Sequence, residues 1–213
     1  MNKKNIFAFL FCAALGFVLL KDAAAQTAKF VSDADAAKAA LNVGAKAPTF
    51  SLLDSMGKKV SSKDLLKQGN MVLVFYRGSW CPFCNLYLHK LQTRLADITA
   101  AGGKLVAVSV ENPDASMAIA KKNEVQFTVL SDPNLDVARK FGIVYQMPAK
   151  TDEMYKSHGL DVAKHNAMAL PELPLAVTYI INKKGKIVYA FIETDYKKRA
   201  EPDVIIDNLK MLK

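Results

Sequence analysis

The chain has 213 residues, 51% hydrophobic and 23% charged, with a formal charge of +9. Its three cysteines exclude a disulfide-rich scaffold and a four-cysteine zinc site. The positive charge rests on 25 lysines and four arginines, spread singly or in pairs such as Lys58-Lys59 and Lys121-Lys122. That is the pattern of a solvated surface and not of a nucleic-acid-binding face.

Residues 1–25 read as a signal peptide. Lys3 and Lys4 form a positive start, residues 6–20 are an uncharged apolar run, and Ala23-Ala24-Ala25 offers a small-residue cleavage site before Gln26. The run is shorter than the roughly 20 apolar residues of a membrane-spanning helix, so an uncleaved anchor is the second reading. Cleavage predicts a secreted, periplasmic protein with no stable membrane insertion. It also removes Cys12 and lowers the formal charge to +7.

Residues 26–45 form an Ala- and Lys-rich N-terminal extension, read as a loose start with a short helix over 33–41 capped by Ser32. The remainder, 46–213, reads as one domain. A strand is expected over 47–54, turned by Met56-Gly57-Lys58. Residues 71–76 (MVLVFY) are apolar without alternation, as in a central strand covered on both faces. Further strands are expected over 104–110, 127–130 and 175–181. Asn182-Lys183-Lys184-Gly185 then turns the chain into an antiparallel strand over 186–193. Helical patterns over 82–101, 113–122, 134–141 and 201–212 separate them. The alternation predicts an α/β fold with a mixed central sheet flanked by helices. The long polar stretch 144–173 fits this scheme less well and reads as an insertion with one helix over 151–165.

The chemistry concentrates in Arg77-Gly78-Ser79-Trp80-Cys81-Pro82-Phe83-Cys84. Pro82 suits the first position of a helix, because its missing N–H has no helical partner there. Cys81 then caps the helix and Cys84 lies one turn in. Unpaired N–H groups at a helix start stabilise a thiolate, and Cys-x-x-Cys spacing lets two sulfurs form a reversible disulfide. Cys84, Leu88, Leu91, Leu95 and Ile98 make one apolar stripe. It turns Cys84 to the core and leaves Cys81 at an exposed lip, which favours Cys81 as nucleophile and Cys84 as its resolving partner. Three plainer readings compete. A half zinc site lacks paired histidines, since His89, His158 and His165 stand apart. A structural disulfide would close a very short loop. Two unlinked core thiols suit an oxidising compartment poorly. No metal or other cofactor is expected.

With these residues in view, the sequence resembles the thioredoxin superfamily, and within it the alkyl hydroperoxide reductase/thiol-specific antioxidant (peroxiredoxin) family. The likeness runs from about residue 44 to 212. It is carried by Gly44-Ala45-Lys46-Ala47-Pro48-Thr49-Phe50-Ser51-Leu52, by the strand leading into the Trp-Cys-Pro-Phe-Cys motif, and by Leu130-Ser131-Asp132-Pro133. Thr178-Tyr179-Ile180-Ile181-Asn182 and Asp195-Tyr196-Lys197-Lys198-Arg199-Ala200-Glu201-Pro202 extend it. The resemblance implies a single thioredoxin-like domain and a thiol peroxidase that reduces hydrogen peroxide or alkyl hydroperoxides through Cys81 and Cys84. A thioredoxin-like protein would act as its reductant. Arg77 stands where the family motif has Pro, Cys81 where it has Thr or Ser, and Ala176 about where an active-site Arg is expected. The peroxiredoxin register makes Cys84 the nucleophile, whereas the thioredoxin register makes it Cys81.

Supporting residues follow, each with a purely structural reading beside it. Pro82 starts the helix. Trp80 shields the pair or simply packs. Arg77 is the nearest fixed cation to a thiolate or peroxide, or a solvated strand end. Glu111, at the end of the second central strand, is a candidate proton acceptor. Arg199 could fold back over the site from the family-like tail. The alternative function is a thiol-disulfide oxidoreductase acting on protein disulfides. A domain that serves only as an interaction module, with an idle cysteine pair, is the non-enzymatic reading.

Overall fold

The structure is a computed structural model and describes residues 31–122 and 124–212. The signal peptide expected at 1–25 lies outside the described residues. Strand β3 (Asn70–Phe75) is buried at every position and organises the rest. Its side chains alternate between two cores. Met71, Leu73 and Phe75 join one cluster with Val106, Val108, Leu130, Phe141 and Tyr179. Val72 and Val74 join another with Leu91, Ile98, Leu105, Ile205 and Leu209. A strand with an apolar partner on both faces has no reason to alternate in sequence, which is why MVLVFY reads as a continuous run.

Around it stand β1 (Ser51–Asp54), β2 (Lys59–Ser61), β4 (Gly103–Ser109), β5 (Thr128–Ser131), β8 (Thr178–Ile181) and β9 (Ile187–Phe191), in the order β2-β1-β5-β4-β3-β8-β9. Strands β3, β4 and β5 are parallel; β8 runs antiparallel to β3, β9 to β8, and β1 to β5. This is the expected mixed sheet of a thioredoxin-like α/β fold.

Several elements differ from the sequence expectation. The helix expected over 82–101 is two, α3 (Pro82–Thr93) and α4 (Leu95–Ala100). Between them Arg94 leaves helical angles and its guanidinium bridges Asp97 at 2.7 Å and Asp203 at 2.6 Å. Strand β2 and helix α2 (Ser62–Gln68), capped by the Ser61 hydroxyl, were not expected at all. The start of the chain is not loose from Val31 onward. Helix α1 (Asp33–Ala39) is capped by Ser32 and buries Ala36, and the Gln146 and Leu41 amides donate to Val31 and Phe141 carbonyls.

The stretch 144–173 is an excursion framed by its own two-stranded ribbon, β6 (Val144–Gln146) and β7 (Glu172–Pro174). It holds two helices where one was expected: α7 (Ala149–Ser157) and α8 (Val162–His165). Gly159 at φ +83° breaks the first, and Asp161 caps the second by accepting the Lys164 amide. Helices α5 (Pro113–Lys122), α6 (Asp136–Lys140) and α9 (Pro202–Lys210) complete the layers. No helix among the described residues is long and apolar enough to cross a membrane.

Candidate active site

Strand β3 ends at Phe75 and hands the chain to Tyr76 and Arg77, both buried. The loop Gly78-Ser79-Trp80 follows, and α3 begins at Pro82 with Cys81 as its N-cap. Gly78 has φ +142°, and a Cβ there would stand 2.5 Å from the Trp80 Nε1 and 3.2 Å from the Glu111 Cδ. Only glycine fits that turn. The amides of Cys84 and Asn85 both donate to the Cys81 carbonyl at 3.1 Å, which closes the first helical turn.

Both cysteines are free thiols, and both are buried: Cys81 is 1% exposed and Cys84 0%. This corrects the expected exposed lip. Cys81 packs with Tyr76, Cys84, Leu88, Ala107 and Val129, and the partly buried Trp80 and Tyr196 lie against the same cluster. The stripe argument correctly turned Cys84 inward, but helix periodicity carries no information about what other segments lay over Cys81.

The two sulfurs are driven in opposite directions. A hydrogen bond from the Cys84 thiol, aided by the charges of Arg77 and Arg199, outweighs burial and draws the Cys81 pKa down to about 6. Burial, together with that same hydrogen bond, pushes the Cys84 thiol well above its ordinary value. The arrangement therefore holds a thiolate on Cys81 beside a protonated Cys84, as a nucleophile and its partner require.

Arg77 is 2% exposed, not a solvated strand end. Its guanidinium lies 3.9 Å from the Tyr196 ring centre, 4.9 Å from Trp80 and 5.7 Å from Tyr155, and Nη2 donates to the Tyr155 hydroxyl at 3.1 Å. Burial opposes its charge, yet Tyr145, Tyr155 and Cys81 outweigh that and its pKa rises. Trp80 meets Tyr155 edge-on with centroids 6.0 Å apart. Arg199 does come back over the pair: its Nη2 donates to the Cys84 Sγ at 3.4 Å and its Nη1 to the Lys198 carbonyl. Pro82 occupies the first turn of α3, Ala176 is buried, and Pro174 closes β7.

Glu111, 1% exposed, lies just beyond β4 against the redox loop. Its Oε2 accepts the Ser79 amide at 2.7 Å, and its Oε1 accepts the Ser79 hydroxyl at 2.5 Å. His165 Nε2 stands 3.0 Å from the same Oε1. Asn85 Nδ2 donates to the Ser79 carbonyl at 2.9 Å. The structure thus brings together all seven residues singled out by the sequence and adds Tyr155, His165, Tyr196, Ser79 and Asn85. No local signal marked Tyr155 or His165, which lie in the excursion and reach the site only through the fold. Outside the pair, a cleft of about 440 Å³ runs along Phe83, Leu86 and Tyr87, with Lys90 and Arg199 among its cations.

The model of the AhpC/TSA family matches residues 43–190. The chain is 28% identical over 174 residues to "Peroxiredoxin Bcp" of Escherichia coli, covering 80% of this chain and 96% of that one. It is 27% identical over 175 residues to "Peroxiredoxin Q, chloroplastic" of Populus jackii, covering 82% and 69%. Among solved structures, "Peroxidoxin BcpB from Mycobacterium tuberculosis" superposes with a TM-score of 0.66 at 18% identity, covering 81% of this chain and 99% of that one. AhpC of Enterococcus faecalis gives 0.61 at 19% identity, covering 81% and 93%. At those identities the structures establish the shared fold.

Proposed function

The chain belongs to the AhpC/TSA family, and from that membership we propose that it works as a peroxiredoxin-like thiol peroxidase on hydrogen peroxide and alkyl hydroperoxides. The observation that carries the assignment of roles is the opposed state of the two thiols: Cys81 drawn down, Cys84 pushed up, in hydrogen-bond contact. The Cys81 thiolate attacks a peroxide oxygen. An S–O bond forms, the O–O bond breaks, and the released alkoxide or hydroxide takes up a proton. Cys84 then attacks the Cys81 sulfenic acid, the S–O bond breaks, water leaves, and a Cys81–Cys84 disulfide remains. A thioredoxin-like dithiol protein supplies the two electrons that restore both thiols. Arg77 and Arg199 are cations whose charges favour the Cys81 thiolate.

A specific contact favours a second assignment of the same chemistry. Arg199 donates to Cys84, not to Cys81, as a residue activating Cys84 would. Mass spectrometry of the Cys81→Ser and Cys84→Ser variants after one equivalent of hydrogen peroxide separates the two. The variant that still forms sulfenic acid keeps the nucleophile, and the expected one is Cys84→Ser. Residues 26–213 should consume peroxide with a dithiol supply, and the double Cys→Ser variant should not. Equal consumption by both, or efficient insulin reduction with negligible peroxide turnover, overturns the peroxidase reading.

The leader supports a periplasmic or secreted site of action, with the working protein starting at Gln26. Intact mass of the protein recovered from the host's envelope tests this directly, since retention of residues 1–25 refutes it.

A further inference from the structure

We propose that Glu111 and His165 are positioning residues for the redox pair, through which the excursion at 149–166 sets the reactivity of Cys81. The reasoning starts from the cost of burying a carboxylate, which requires hydrogen-bond donors on its oxygens. Glu111 finds three, and none lies near it in sequence: the Ser79 amide and hydroxyl, and His165. Ser79 stands two residues before Cys81, and its carbonyl is held by Asn85 from the first turn of α3. All the hydrogen-bonding atoms of Ser79 are therefore taken, and the loop has one place to sit. With both Glu111 oxygens committed to these partners, its part is that of an anchor and not of a proton acceptor for the thiols.

His165 is the most exposed member of this chain of hydrogen bonds, with its side chain 38% exposed. It comes from the last turn of α8, whose start is fixed by Asp161. The same excursion supplies Tyr155, which holds Arg77 by its hydroxyl and meets Trp80 edge-on. One inserted segment thus grips both the cation that favours the thiolate and the loop that carries it. A group held only by a flexible loop loses the geometry on which its activation depends, and small displacements far from the reacting atoms lower rates steeply.

The test uses the purified protein with His165→Ala, His165→Gln and Glu111→Gln. Gln can place an N–H where the His Nε2 stood, whereas Ala cannot. Three quantities are read: the melting temperature, the pH midpoint of iodoacetamide alkylation at Cys81 located by mass spectrometry, and the second-order rate with hydrogen peroxide. His165→Ala should melt within a few degrees of the parent, since the His165 side chain is partly exposed and fills no part of the buried cores. It should also raise the alkylation midpoint towards that of an ordinary thiol and lower the peroxide rate about tenfold. His165→Gln should recover most of both, and Glu111→Gln should move them further than His165→Ala. An unchanged midpoint in His165→Ala, or equal impairment in Ala and Gln, overturns the proposal. The inference rests on the peroxidase reading only for its rate arm. If the parent protein turns over no peroxide that reading fails, and the alkylation midpoints still decide the role of His165.

Discussion

Cys81 and Cys84 lie three positions apart, yet the fold assigns them opposite protonation states. Because the Cys81 pKa is lowered, its thiolate persists at every pH above about 6 and is lost as the pH falls through that value. Alkylation of Cys81 should therefore show a midpoint near 6, where a free cysteine shows one near ~8.5. The leading cause is the Cys84 hydrogen bond, so Cys84→Ala should raise the midpoint, and Cys84→Ser, which keeps a donor, should raise it less. Arg77→Leu should also raise it, by removing the buried cation while leaving most of the volume between three aromatic rings filled. The motif made the pair, Arg77 and Trp80 legible from sequence because they are contiguous. The Tyr155 and His165 contacts were not legible: a side chain 54 residues from its carboxylate partner has no spacing rule to betray it.

At the scale of elements, segments with a marked apolar run or helical period were readable and the three-residue strands were not. The unbroken apolar run over 71–76 announced strand β3, found at Asn70–Phe75, and α5 matched its expected bounds. Strands β2, β6 and β7 are three residues each, too short for any period to show, and their pairing comes from neighbours elsewhere in the chain. The pause at Arg94 was hidden because Leu95 and Ile98 continue the apolar stripe across it. Close packing of α4, α9 and β4 makes a sharper prediction. A Cβ at Gly103 would meet the Leu209 Cδ1 at 2.6 Å and the Ile98 Cγ2 at 2.9 Å, with the Ile98 carbonyl at 3.0 Å. Gly103→Ala should cost about 1–3 kcal/mol of stability, read as a lower urea midpoint with an unchanged slope. Gly78→Ala strikes the redox loop instead. Its cost should be of similar order, about 1–3 kcal/mol, and it should displace Trp80, so intrinsic tryptophan fluorescence should shift as well.

For the molecule as a whole, one of the two cores that hold the sheet runs from α1 through β3 to the β6–β7 ribbon. Phe141 sits inside it, fully buried, with its ring 5.3 Å from both Phe75 and Tyr179. Phe141→Ala should cost about 3–5 kcal/mol in global unfolding, measured by chemical denaturation. It should move the Cys81 alkylation midpoint far less than Arg77→Leu does, since both cysteines pack in a different group of side chains and Trp80 is the loop residue that lies against both groups. The burial of both sulfurs also divides the catalytic cycle by molecular size. A small peroxide needs only a transient gap to reach Cys81, whereas a protein dithiol cannot touch a disulfide that stays as buried as these two thiols are. Oxidation should then rise linearly with peroxide concentration. Re-reduction should level off at high reductant concentration, at a ceiling fixed by how often this protein uncovers its own loop. Stopped-flow titration of the oxidised protein reads that plateau directly, and strictly linear reduction would refute it. The clock of the cycle would then be the protein's own breathing and not the supply of electrons.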